Sequence, residues 1–523
     1  MNPTAAQQIS APVACLNCRD RHVKCDGNLA GCARCKTANV SCCFLPSRRG
    51  RRYPPTPHLA DLSDPSASPV GISPTPSICQ QTSDDLFAFT ALADSDMGNT
   101  TGPAHPQPVT SCGTDLVMLY FLHFHPAHPF LPSHGPFLQS DPPTYLIDLV
   151  KVVGSHYISP TFVNTDRINN LQATVQDAVL TLEKIQALLL LSIIQHARIL
   201  PRAAKECLGQ AIDGTLQLGL QHRDTAEREA LRNPVLAESL RRTWWEVFIL
   251  DTLLAAVQVE GSLQLMLDET PDVVLPCSEP EEYDGRCGDL ASVSARDLDS
   301  TRHLLYGDYS LSAAAYRVEA AILLRRCLLA SSRGSIDALD AAIAAWFHRL
   351  PQAKRAVLNH EGQVDQMMFQ AVTLAHCASI YLHFPRSHLV AALPVTSHVF
   401  CSSPPGFLRA SADPQLHTAK VHNAAIAISK LGSLSMSVVE HTPFFCCVLV
   451  LSSIIQIAVR SAGSLGSLTA PNHFLGLNFG VLKSMGEIWE IAAMSRMRIR
   501  DVAIEAESAL GTGNLRIEDM VAA

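Results

Sequence analysis

The chain has 523 residues, 47% hydrophobic and 17% charged, with a formal net charge of −8. That is enough apolar material for a substantial core, and an acidic average taken alone argues against a nucleic-acid partner. No phosphate loop, nucleophile elbow or dinucleotide fingerprint occurs anywhere, so nothing points to the familiar nucleotide-binding or hydrolytic chemistries.

Six of the 17 cysteines lie between Cys15 and Cys42, in the order C-x2-C-x6-C-x6-C-x2-C-x6-C. Chance would put about one in a window of that size. The segment is also an internal repeat: Cys15, Cys18 and Cys25 share their spacing with Cys32, Cys35 and Cys42, and each half carries a base after its second cysteine, Arg19 and Lys36. Two facing thiol half-sites suit zinc, which prefers four soft ligands in a tetrahedron and deprotonates the thiols it binds. Six sulfurs give two zinc ions four ligands each only if two sulfurs bridge. So short a segment buries too little apolar surface to fold unaided, which makes metal the expected source of its stability.

The same thiols could instead form a disulfide framework, or a single zinc ribbon with spare cysteines. The opening MNPTAAQQIS lacks the charged-then-apolar order of a secretion signal, which argues against an oxidising compartment. A thiol store would also not need the interleaved Arg19, Arg21, Lys24, Arg34 and Lys36. Cys43 is expected to be a bystander.

From Ala14 to Phe44 the pattern resembles the fungal Zn2Cys6 binuclear cluster, a DNA-binding module of transcription factors. The resemblance implies two Zn2+ ions held by Cys15, Cys18, Cys25, Cys32, Cys35 and Cys42, with Cys15 and Cys32 bridging. It makes Cys18–Asp26 the helix whose basic face enters the major groove. Family members often have a proline where Ala30 stands, and a lysine that reads bases where His22 stands. Base reading is therefore expected from His22 with Arg21 and Lys24, and backbone contact from Arg19, Arg34 and Lys36. The expected partner is double-stranded DNA with G/C-rich, CGG-type sites, and the expected location is the nucleus.

The acidic average conceals a division. Residues 1–53 hold nine Lys or Arg and two acids, a net of +7, leaving −15 for the remainder. Arg48, Arg49, Arg51 and Arg52 add four cations just beyond the cluster, suited to the DNA backbone or to a nuclear-import receptor. From Pro54 to about Ser111 the frequent prolines forbid a continuous helix and no heptads are sustained. A disordered linker is expected there, without a coiled-coil dimeriser, so any homodimer would have to form without one. Within it, residues 84–97 mix acids with Leu86, Phe87, Phe89 and Leu92, the composition of a disordered activation segment that meets a coactivator, or of an amphipathic helix docked on the domain behind. The expected domains are a DNA-binding module at 10–46, a basic then Pro/Ser-rich linker at 47–113, and a helical regulatory domain at 114–523.

The large carboxy-terminal body reads as all-α. Helical periodicity runs through Leu180–Leu200, Ala203–His222, Glu238–Val259, Leu311–Ala330, Ile336–Leu350, Gln363–His383, Leu416–Leu434 and Phe444–Ala462. Tyr120–Phe137 holds His123, His125, His128 and His134 among prolines, and is read as a fixed irregular loop packed on the core rather than a second metal site. Thr442–Val459 has no charged residue and is long enough to span a membrane, but its serines, cysteines and Gln456 favour a buried core helix.

The stretch Arg241–Asp251 resembles the middle homology region of fungal zinc-cluster regulators, with Leu189–His222 as the preceding helix pair and Asp268–Pro276 as the closing loop. Trp244, Val247, Phe248, Asp251 and Leu254 share one helix face, so an acid sits among core residues and needs a partner, for which Arg241 or Arg242 is the candidate. Together the two resemblances imply a DNA-binding transcription regulator, not an enzyme. The segment Pro46–Pro55 and the helical middle are most similar to regulators of secondary-metabolite gene clusters. The competing expectation is a ligand-sensing or enzymatic helical body to which the zinc module is an accessory.

Overall fold

The structure, a computed structural model, describes residues 18, 23–26, 32–38, 115–158, 165–258, 261–267, 269–277, 293–297, 311–330, 333–359, 361–392, 411–434, 438–462 and 471–509. The linker and the 84–97 segment lie outside them. The chain divides into two compact units, Met1–His105 and Pro106–Ala523. In the first, a short helix α1 spans Ala33–Thr37.

The second unit is helical throughout its described residues, with two isolated β-bridges. Its first half runs α2 (Leu116–Leu119, continued by a π-helical turn Tyr120–Phe124), α3 (His134–Gln139), α4 (Thr144–Ser155), α5 (Thr165–Asp177), α6 (Leu182–Ala197), α7 (Pro201–Gln217), α8 (Arg223–Ala230) and α9 (Pro234–Val257). After it come α10 (Ala313–Leu329), α11 (Arg333–Arg349), α12 (Gln352–Arg355), α13 (Gln366–His383), α14 (Pro414–Ser433), α15 (Phe444–Ala462), α16 (Pro471–Met485) and α17 (Glu490–Ala509).

The eight helices read from periodicity are all present, and side-chain caps mark the observed starts of α6, α9, α10, α13 and α14. Thr181 Oγ1 accepts from Lys184 N at 3.3 Å ahead of α6. Asn233 Oδ1 accepts from Leu236 N at 3.0 Å ahead of α9, with Pro234 in its first turn, which moves that start upstream of Glu238. Asp413 and Pro414 begin α14 in the same way. Each cap satisfies an N–H that the first helical turn leaves without a partner, and proline costs nothing where no donor is needed.

The stretch Tyr120–Phe137 is more helical than expected. Asp115 Oδ1 accepts from Val117 N at 3.0 Å, and the helix it starts continues to Phe124, two residues before Pro126 can interrupt it. Gly154 lets α4 lie directly on α2, since a Cβ there would stand 1.9 Å from Leu116 O. The four histidines of the stretch go to separate partners. His125 Nε2 meets Leu131 O at 2.9 Å, and His128 bridges Glu246 and Thr442 at 2.7 and 2.8 Å. His123 lies on the Tyr157 ring and His134 on the Phe121 ring.

Helix α9 organises the body. Trp244, Val247, Phe248, Asp251 and Leu254 are all buried, as their shared face requires. The partner expected for Asp251 was wrong: Arg241 and Arg242 both pair with Glu238, at 2.9 and 2.8 Å. They sit about a turn beyond Glu238 on the same helix, whereas Asp251 lies more than two turns further on. Asp251 instead pairs with Arg325 of α10 at 2.7 Å, and accepts from Gln264 N and Leu265 N at 2.8 and 3.2 Å. Arg325 also lies over the Phe248 ring, 4.9 Å from its centroid. Glu246 is held by Arg317, also from α10, at 2.6 and 3.1 Å.

Helix α15 has the length and apolarity of a membrane span, yet 89% of that window is buried inside the protein, where it packs against α14, α16 and α17.

Two outcomes follow from these burials. Asp251→Ala leaves the Arg325 charge buried without its acid and should destabilise the body by about 3–5 kcal/mol. Replacing both residues by apolar ones should cost less than either single change, and urea midpoints of the two singles and the double measure this. Burial also pushes the imidazoles of His125, His156 and His441 down to about 4, against about 6.5 in an unfolded chain. Unfolding therefore takes up protons between those values, so stability should fall as pH drops from about 6.5 toward 4. A urea midpoint that is flat across that window contradicts the assignment.

Candidate metal centre and nucleic-acid interface

In the amino-terminal unit the structure brings sulfur together. The ligand atoms of Cys18, Cys32 and Cys35 all lie within 4.8 Å of one another, and all three residues are buried. Cys18 Sγ and Cys32 Sγ are 3.7 Å apart. A disulfide would need about 2.05 Å, whereas a tetrahedral zinc with Zn–S bonds of about 2.3 Å places its sulfurs about 3.8 Å apart. The donor set fits zinc.

A second group joins Cys25, Asp26 and Cys32, again within 4.8 Å. Cys32 belongs to both groups, which is the position a sulfur shared between two ions would take. Local structure explains how it gets there. Cys32 is the cap of α1, and its Sγ accepts from Cys35 N at 3.4 Å. One turn of helix then brings the Cys35 side chain back toward the sulfur of Cys32. On the other side, Val23 N donates to Cys18 O at 2.9 Å, turning the chain so that Val23 and Cys25 pack against the three buried cysteines.

Asp26 was not singled out from the sequence as a site residue. Its Oδ2 accepts from Ala33 N at 3.0 Å, tying the end of the first half-repeat to the start of the helix in the second. The available signal was its place directly after the third cysteine, where the second half has Cys43.

Lys24, Arg34 and Lys36 are exposed while Cys32 and Cys35 are buried. On α1 this alternation follows from helical geometry, with Cys35 facing in and its two basic neighbours facing out. Cys15, Cys42, Arg19, Arg21, His22, Arg48, Arg49, Arg51 and Arg52 lie outside the described residues.

Asp26 acts on the sulfurs through the backbone that carries Cys32. Asp26→Ala is expected to weaken zinc binding about 10–100-fold, as loss of an orienting group around a metal does, with metal analysis still giving two ions at saturation. An affinity unchanged in chelator competition would contradict this role.

Comparison with known proteins agrees with this geometry. Residues 13–52 match the fungal Zn(2)-Cys(6) binuclear cluster domain, and residues 117–290 the fungal specific transcription factor domain. The chain is 27% identical to the C6 finger domain transcription factor iacK of Pestalotiopsis fici, over 95% of this chain and 80% of the relative. No solved structure matches it. The cluster domain binds two zinc ions and implies DNA binding; the family implies the nucleus. The chain thus carries both the fungal Zn(2)-Cys(6) binuclear cluster domain and the fungal specific transcription factor domain, in this order, and it is a transcription regulator.

Proposed function

We propose that the cluster reads a short G/C-rich duplex site of the CGG type and that the protein controls the genes of one biosynthetic cluster. Cys15, Cys18, Cys25, Cys32, Cys35 and Cys42 hold the two ions, with Cys15 and Cys32 shared between them. Bound zinc supplies structure rather than reaction chemistry: it draws the thiolates into one core and fixes the chain around them.

The observation that carries this reading is the placement of Lys24, Arg34 and Lys36 on the outside of a unit whose interior is sulfur. Six thiolates and two zinc ions leave about −2 on the cluster, so the nine cations of residues 1–53 keep the unit positive. Arg21, His22 and Lys24 face base edges, Arg being the better bidentate partner for guanine. Arg19, Arg34 and Lys36 hold phosphates, and Arg48, Arg49, Arg51 and Arg52 extend that grip along the backbone.

In this reading 10–46 binds DNA, 47–113 is a tether and 114–523 regulates. Residues 84–97 offer aromatics among acids to a coactivator, and any homodimer forms without a coiled coil in the tether. Control of a secondary-metabolite cluster rests on the likeness of Pro46–Pro55 and of the helical middle to such regulators.

The division between readers and phosphate holders is open to a direct test. His22→Ala should change the preferred sequence in a selection from random duplexes. Lys36→Ala should weaken all sequences alike and reduce the salt slope by about one. Equal effects from the two substitutions would overturn the assignment.

A further inference from the structure

The two groups of donors in the amino-terminal unit are not equivalent. Cys18, Cys32 and Cys35 are all buried, whereas the group that shares Cys32 with them adds a half-buried Cys25 and an exposed Asp26. Cys25 is therefore the most accessible of the cysteines described there, and the thiolate that a thiol-directed reagent or a competing ligand reaches first. A carboxylate stands beside it. An Asp26 oxygen lies within 4.8 Å of both Cys25 Sγ and Cys32 Sγ, so the most open place in the sulfur shell is also the one with a different donor at hand.

Zinc accepts carboxylate oxygen as well as thiolate, at about 2.0–2.2 Å against about 2.3 Å. Tetrahedral bonds of those lengths put the oxygen about 3.6 Å from a sulfur on the same ion, so Asp26 stands within little more than about 1 Å of that range. It need not give up its present contact to close the gap. Its Oδ2 accepts from Ala33 N at 3.0 Å, and a carboxylate has a second oxygen to offer. Charge is conserved in the exchange as well. Carboxylate and thiolate both carry a single negative charge, so replacing one by the other leaves the cluster at about −2 and the cationic exterior unaltered.

We propose that Asp26 is a reserve ligand for the zinc ion bound by Cys25. While every thiolate is in place it positions Cys32 through the backbone; when the Cys25 thiolate leaves, an Asp26 oxygen takes the empty position and the ion is retained. This rests on the two-ion reading of the cysteine cluster.

Metal content of the full chain at saturating zinc, measured beside two variants, tests this. The natural chain is the reference, and fewer than two ions there would refute the two-ion reading together with this proposal. Cys25→Ala should still hold two ions, and its cobalt form should lose part of the sulfur-to-metal charge-transfer absorption while keeping tetrahedral visible bands. Cys25→Ala combined with Asp26→Asn should hold one, because the amide oxygen still accepts from Ala33 N but is not among the usual zinc ligands. Two ions in the natural chain and one in Cys25→Ala would overturn the reserve role and leave the two-ion reading standing. Two ions held equally tightly by both variants would also overturn it. If the variants do not fold, iodoacetamide treatment of the natural chain decides. Zinc release should lag behind alkylation of Cys25, followed by peptide mass, and the two should coincide in Asp26→Asn; release that coincides with alkylation in the natural chain would overturn the proposal.

Discussion

Negative charge gathered on sulfur in a small volume is the constraint on which the amino-terminal unit depends. Thiolates brought to within 4.8 Å of one another repel each other unless a cation lies among them, and zinc is the ion whose bond length and geometry match the 3.7 Å sulfur separation. Once sulfur occupies the interior, the basic residues between the cysteines have only the outside to occupy. The metal core and the cationic surface are therefore two results of one spacing rule, and nucleic-acid recognition follows from the second.

The helical body solves a related problem without metal. Helix α9 buries Glu238, Glu246 and Asp251, and each acid meets an arginine. Only Glu238 is satisfied from its own helix; the other two are matched from α10. Net attraction at 25 °C is not the main effect of such pairs, since burial of charge offsets much of it. They do fix which residues of α10 lie opposite which residues of α9, because a shift of one turn would strand two acids in the core.

Much of this was legible in the sequence, for physical reasons that differ between the parts. The cysteine spacing specified zinc because few other chemistries need six thiols in a repeat. Helices such as Phe444–Ala462 were legible because a run that long and that apolar suits a buried helix better than a strand. The partner of Asp251 was not: its arginine lies 74 residues away, and periodicity carries no information about contacts between helices. The same limit hid the meeting of His128 with Glu246 and Thr442. Helices α2, α4, α5, α8, α12, α16 and α17 were not singled out, and the turn Tyr120–Phe124 was read as part of a loop because the prolines at 126, 129, 132 and 136 drew more weight than the Asp115 cap. Asp26 went unassigned because a single acid beside a cysteine carries no signal until the fold places Ala33 N against it.

The most direct measurement is metal content of the full-length protein followed in parallel with duplex binding at low salt. Two zinc ions per chain are expected, with chelation removing metal and DNA binding together and added zinc restoring both. One ion or none per chain, or duplex binding that survives complete removal of zinc, would contradict the account.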